Sequence, residues 1–125
     1  MKYLEWLLRA LIGVILVQTL YFKFSGAPES VYIFSTMGVE PWGRYLTGFL
    51  ELVAAACVLF SHRLMPWGAF LSLGLMVGAI GTHLFTLGVE VQGDDGLLFA
   101  LAVVVFISSL ILVWRHKLTI LAKFR

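Results

Sequence analysis

The chain has 125 residues, 61% of them apolar and only 13% charged, with a formal net charge of +2. A soluble domain carries about 45–50% apolar and about 25% charged residues, so this chain has too little polar surface to coat a soluble globule. The length fits one domain, over 1–125.

Four runs, at 4–23, 42–60, 66–89 and 97–114, reach or approach the ~20 residues needed to cross the hydrocarbon of a bilayer. They are continuously apolar, whereas the strands of a membrane barrel alternate, so the runs predict helices. The first opens on Lys2 and is followed by the small residues Ser25, Gly26 and Ala27, as a secretory leader would be. Glu5 and Arg9 interrupt it, however, and Pro28 follows, so it reads as a retained span.

The connection after it is the longest. Pro28 suits the first turn of a helix, Glu29 adds a favourable charge there, and Gly38 is a stop. Val31, Tyr32, Ile33, Phe34 and Met37 are too apolar for an open loop. The segment 28–37 therefore predicts a short helix lying on or dipping into the outer surface, as a cap over a pocket or as an interfacial anchor. The second connection, 61–66, is a short turn that forces antiparallel neighbours, and the third, 90–96, is acidic and holds Asp94 and Asp95. The tail, 115–125, alternates basic and apolar residues, and reads as an extension of the fourth helix or a segment on an anionic leaflet.

With four spans, the N-terminus, the second turn and the tail share a side. That side holds seven of the nine lysines and arginines: Lys2, Arg9, Arg63, Arg115, Lys117, Lys123 and Arg125. Lys23 and Arg44 lie opposite, with five acids. The positive-inside rule then places both termini in the cytoplasm. The expected fold is all-α: a polytopic membrane four-helix bundle with a short interfacial helix between the first two spans.

Glu51 stands near the middle of the second span, where an ionised carboxylate is costly unless it is paired or faces a polar cavity. At about 1.5 Å per residue it lies roughly 12–13 Å below the outer helix end, and His83 roughly 9 Å below its own. Lys23 sits at the outer end of the first span, with a stem that can bend inward. Helical periodicity puts Glu5, Arg9, Gly13, Leu16, Thr19 and Lys23 on one face of the first span. Thr47, Gly48, Glu51, Ala54 and Ala55 share a face of the second, and Gly68, Ser72, Met76, Ala79 and His83 a face of the third. Lys23, Glu51 and His83 are therefore the candidate ligand-binding residues, in a polar pocket open toward the outer side; Thr47 and Gln18 are secondary. An ammonium and a carboxylate there would hold each other charged, and a histidine could relay a proton or hydrogen-bond a carbonyl. Such chemistry suits a quinone head group or a small polar ligand. The alternative is a Lys–Glu pair and a histidine that hold the bundle in register.

Gly74 and Gly78 form a small-residue stripe suited to close helix packing, within the bundle or against a partner. Arg9 reads as an anchor paired with Glu5 at i, i+4. Cys57 is the only cysteine, which excludes an intramolecular disulfide, and it reads as an apolar filler. With one deep acid, no metal site is expected. No Ser-His-Asp or Cys-His arrangement is evident, so no catalytic residue is assigned. There is no phosphate loop and no aromatic-interleaved basic patch, so nucleic acid is not expected as a partner.

The order of Arg9, Gly13 and Lys23 in the first span, the segment 30–38, the stretch Gly48-Phe49-Leu50-Glu51-Leu52 and His83 in the third span resembles the DoxX-like family of small membrane proteins. The resemblance implies a four-helix bundle in the cytoplasmic membrane. Some members are linked to thiosulfate–quinone oxidation or to membrane oxidoreductase complexes; the cysteine-bearing domains fused to some relatives are missing here. The expected function is an accessory or small-molecule-binding subunit of a membrane redox system, with a quinone-like molecule as one candidate ligand. Expected partners are the lipid bilayer and either oxidoreductase subunits or further copies of the chain. The competing readings are a small transporter using Glu51 and a structural subunit that docks another membrane protein through Gly74 and Gly78.

Overall fold

The computed structural model describes residues 2–26, 28–40, 42–88 and 96–122. Glu90, Asp94, Asp95, Lys123 and Arg125 lie outside the described residues. Helices α1 (Lys2–Ser25), α2 (Pro28–Thr36), α3 (Trp42–Phe60), α4 (Met65–Thr82), α5 (Leu97–Arg115) and α6 (Lys117–Ala122) follow in order, and a π-helical turn, His83–Leu87, continues α4. No strand occurs among the described residues.

The stretches Tyr3–Ser25, Trp42–Phe60 and Met65–Phe85 are long and apolar enough to cross a membrane; α5 is apolar over the shorter stretch Phe99–Arg115. Large apolar side chains such as Val14, Tyr21, Phe49, Phe85 and Ile107 point outward, while Arg9, Glu51, Ser72 and Ser109 are buried. That is the arrangement a lipid solvent favours, since it hydrates no polar group on the outside and forces those inside to pair. The protein is a multi-pass integral membrane protein in contact with lipid.

The long helices pack in a ring: α1 on α3, α3 on α4, α4 on α5, and α5 back on α1. Ile12, Leu16, Ala54, Val58, Met65, Ala69, Val105 and Leu112 fill its centre. Two glycines set the spacing. A β-carbon at Gly13 would run into the Leu59 side chain, and one at Gly68 would come within 2.7 Å of Cys57 Cβ. Each therefore allows a close approach to α3 that any side chain would prevent. Ser72 and Ser109 join α4 to α5 through hydroxyls 2.9 Å apart.

The expected short helix is α2, and it begins at Pro28, as anticipated. It stops in a Schellman motif: Val39 N–H bonds the Phe34 carbonyl at 2.9 Å and Gly38 N–H the Ser35 carbonyl at 3.0 Å. Gly38 adopts φ +76°, the left-handed conformation that the motif requires. The tail does not simply extend α5. The helix breaks at His116, at φ −111° and ψ 18°, and α6 folds against α4 and α5.

Candidate functional site

The site lies at the end of the bundle where α1 finishes and α3 begins. Lys23 stands in the last turn of α1, and Thr19 one turn before it on the same face. Glu51 is on the inward face of α3, between buried Gly48 and Ala55. The Lys23 Nζ lies 2.8 Å from Glu51 Oε1, and the Glu51 side chain is 3% exposed. Thr19 Oγ1 lies 2.7 Å from Glu51 Oε2 and 3.1 Å from the Leu16 carbonyl. A hydroxyl has one proton to donate, and the carboxylate is the stronger acceptor. Both oxygens of a membrane-depth acid are thus engaged from the neighbouring helix.

Arg44 completes this end. Its guanidinium packs on Glu40, with Nη2 at 2.7 Å from Oε1 and Nε at 3.0 Å from Oε2. Its Nη1 donates to the Lys23 carbonyl. The last carbonyls of a helix have no partner within the helix, so this bond satisfies an orphan acceptor at the C-terminus of α1. A positive charge is also favoured there by the helix dipole.

The Lys23–Glu51 pair lies on the wall of a cavity of about 620 Å³. Gln18, Thr47 and His83 line it too, so every candidate ligand residue named from the sequence reaches one space. The rest of the wall is mostly apolar, from Ile15, Leu16 and Phe22 on α1 to Leu101 and Val105 on α5; α2 contributes Ser30, Ile33 and Phe34, and Met37 follows just past its end. His83 is not bonded to the pair. Its Nδ1 lies 3.0 Å from the Gly88 carbonyl, and its ring meets Phe99 edge-on at 5.6 Å between centroids. Facing a carbonyl, Nδ1 is the donor, which makes Nε2 the acceptor of the neutral ring.

A β-carbon at Gly74 or Gly78 meets nothing within 4 Å among the described residues, so of the two settings expected for this stripe it is not the one inside the bundle that they show. Both also edge the cavity. The glycines whose β-carbon would run into a neighbouring helix include Gly13, Gly48 and Gly68, each on a face that helical periodicity groups.

A second polar cluster sits at the other end. Arg9 is 1% exposed. Its Nε donates to the Val58 carbonyl at 2.6 Å, its Nη1 donates to His62 Nδ1 at 3.1 Å, and its guanidinium lies 3.9 Å above the Trp6 ring. The partner expected for it, Glu5, instead meets His116 Nε2 at 2.7 Å. The reason is tertiary: the last turn of α3 offers a carbonyl with no partner inside its own helix, and a half-buried Glu5 finds His116.

Thr19 and Arg44 are the site residues that sequence reasoning did not single out. The signals were present: Thr19 is four residues before Lys23, and Arg44 is seven before Glu51, so each shares its neighbour's face.

These features define a small helical membrane protein with a buried ion pair on the wall of a largely apolar cavity. The family profile described as DoxX-like family matches residues 7–112, and the chain belongs to that family. No curated protein and no solved structure matches the chain.

Proposed function

We propose that the chain binds a small, quinone-like molecule as an accessory subunit of a membrane redox system, with the head group at Lys23, Thr19 and Glu51. One observation carries this reading: a buried carboxylate–ammonium pair borders a cavity of about 620 Å³, within the ~300–1,000 Å³ usual for ligand sites. A few polar groups at one end of an apolar space orient a ligand while burial supplies the affinity. Lys23 offers donors to a carbonyl oxygen, and His83 Nε2 offers an acceptor to a hydroxyl. A ligand carrying both oxygen functions, or exchanging one for the other, fits this set.

In this reading α1, α3, α4 with its π-helical turn, and α5 all cross the cytoplasmic membrane. Both termini are cytoplasmic, α2 lies at the outer interface, and the cavity is in the outer half. The seven-to-two division of lysine and arginine supports that orientation. Binding is favoured over transport through Glu51 because Ile12, Val58, Met65 and Leu112, each at most 1% exposed, fill the other half of the bundle.

The test is purification in mild detergent, with mass spectrometry of co-purifying quinones, lipids and proteins from the native chain and from Glu51→Gln. A quinone found with the native chain and lost from the variant supports the reading. Identical retention by both overturns it.

A further inference from the structure

The cavity has a direction. At about 1.5 Å per residue, Ile15 lies roughly 12 Å along α1 from Lys23, and Val105 roughly 12 Å along α5 from Leu97. All four line the same space. Its charged groups, Lys23 and Glu51, are at one end, and its far end is walled by Ile15, Met76 and Val105. The cavity is therefore a slot about 12 Å long, with polar groups running from Lys23 past Thr19 and Gln18 to Glu51, and apolar walls at its far end.

The slot also reaches the side of the bundle. Gln18, Phe22, Gly74, Gly78 and Leu97 line it and are at the same time exposed on the outer surface. In a protein whose outward side chains are apolar, that surface meets lipid. The β-carbon positions of Gly74 and Gly78 meet nothing within 4 Å, so none of the described residues blocks the slot there.

The charge of the site constrains the head group. Lys23 and Glu51 cancel, and they are the fixed charges on the wall among the described residues. An anionic head would have to displace Glu51 from Lys23 and would be repelled by it; a cationic head meets the converse. Breaking a buried pair leaves one charge stranded, which is far costlier than adding a neutral hydrogen-bonding group beside it.

We infer that the slot takes an uncharged amphiphile dissolved in the bilayer, which enters sideways from the lipid past Gly74 and Gly78 and lies with its head at Lys23 and Glu51 and its tail toward Ile15 and Val105. This deepens the quinone-like reading above, and rests on it for the chemistry of the head but not for the route.

The experiment uses the full chain in phosphatidylcholine nanodiscs and measures binding of four probes: a benzoquinone with a decyl tail, the same ring without the tail, decyl alcohol and decyl phosphate. Native chain, Gly78→Phe and Glu51→Gln are compared, with thermal unfolding to establish that the variants are folded. The tailed quinone should bind the native chain at least tenfold more tightly than the tail-less ring. Gly78→Phe should weaken the tailed quinone at least tenfold and by more than it weakens the tail-less ring, whereas Glu51→Gln should weaken both. Equal affinity of the two quinones for the native chain, or no effect of Gly78→Phe on the tailed one, overturns the slot and leaves the quinone reading standing. If neither quinone binds, the quinone reading fails; decyl alcohol binding that Gly78→Phe abolishes then supports the slot, and its failure to bind overturns it. Tighter binding of decyl phosphate than of decyl alcohol overturns the argument from charge.

Discussion

Arg9 and Arg44 cap each other's helices. Arg9, near the start of α1, donates to the Val58 carbonyl in the last turn of α3; Arg44, near the start of α3, donates to the Lys23 carbonyl in the last turn of α1. The two helices are antiparallel, so each carries its guanidinium to the other's negative end. Both arginines are buried, and a planar fork with several donors satisfies such carbonyls better than an ammonium does. Replacing either should loosen one end only. Hydrogen exchange should rise around 58–62 in Arg9→Leu, with about 1.5–3 kcal/mol lost, and around 22–26 in Arg44→Leu. A uniform rise along both helices would argue against local capping. Arg9→Lys should not restore the native pattern.

The Lys23–Glu51 pair predicts a non-additive pair of mutants. Lys23→Met leaves a buried carboxylate with only Thr19 as partner and should destabilise by about 3–5 kcal/mol. Adding Glu51→Gln removes the stranded charge, so the double variant should recover much of that loss. Thermal unfolding in detergent measures both, and a double variant as unstable as the sum of the singles would refute the buried pair.

The glycines separate by position. Gly13→Ala should destabilise by about 1–3 kcal/mol, because the added carbon overlaps Leu59. Gly78→Ala meets open space and, in a helix interior, should be neutral or stabilising by up to about 1 kcal/mol. Unfolding midpoints of the two variants decide this, and equal losses would contradict the packing described.

Ser72 and Ser109 pair hydroxyl to hydroxyl in a site where both are fully or nearly fully buried. Ser72→Ala leaves Ser109 without that partner and should cost about 0.6–2 kcal/mol. Ser72→Ala with Ser109→Ala should lie closer to the native chain than either single variant. A double-mutant cycle with no coupling would show that the bond contributes nothing.

Much of this architecture is legible without coordinates. Long apolar runs give the spans, Pro28 and Gly38 bound the short helix, and one acid in a run of apolar residues marks the site. Periodicity put Thr19 and Lys23 on one face of α1, and Thr47 and Glu51 on one face of α3. What periodicity lacks is the partner of each face. Arg9 was assigned to Glu5 because they are neighbours on one helix, yet its donors go to α3. The spacing of Gly74 and Gly78 permits close packing on either side of the helix, and among the described residues nothing packs on them.

The sequence by itself determined that the chain lies in a membrane, that it is helical, and that Glu51 needs a partner. Each follows from a property of single segments: apolar length, apolar continuity, and the expense of a charge in hydrocarbon. Only the tertiary structure decided which partner. The Lys23 ammonium and the Thr19 hydroxyl take the two oxygens of Glu51, Arg44 turns to the end of α1, and His83 stands apart on the same cavity wall. Those choices depend on how antiparallel helices align in depth and how closely Gly13 and Gly68 let them approach, which no single helix encodes.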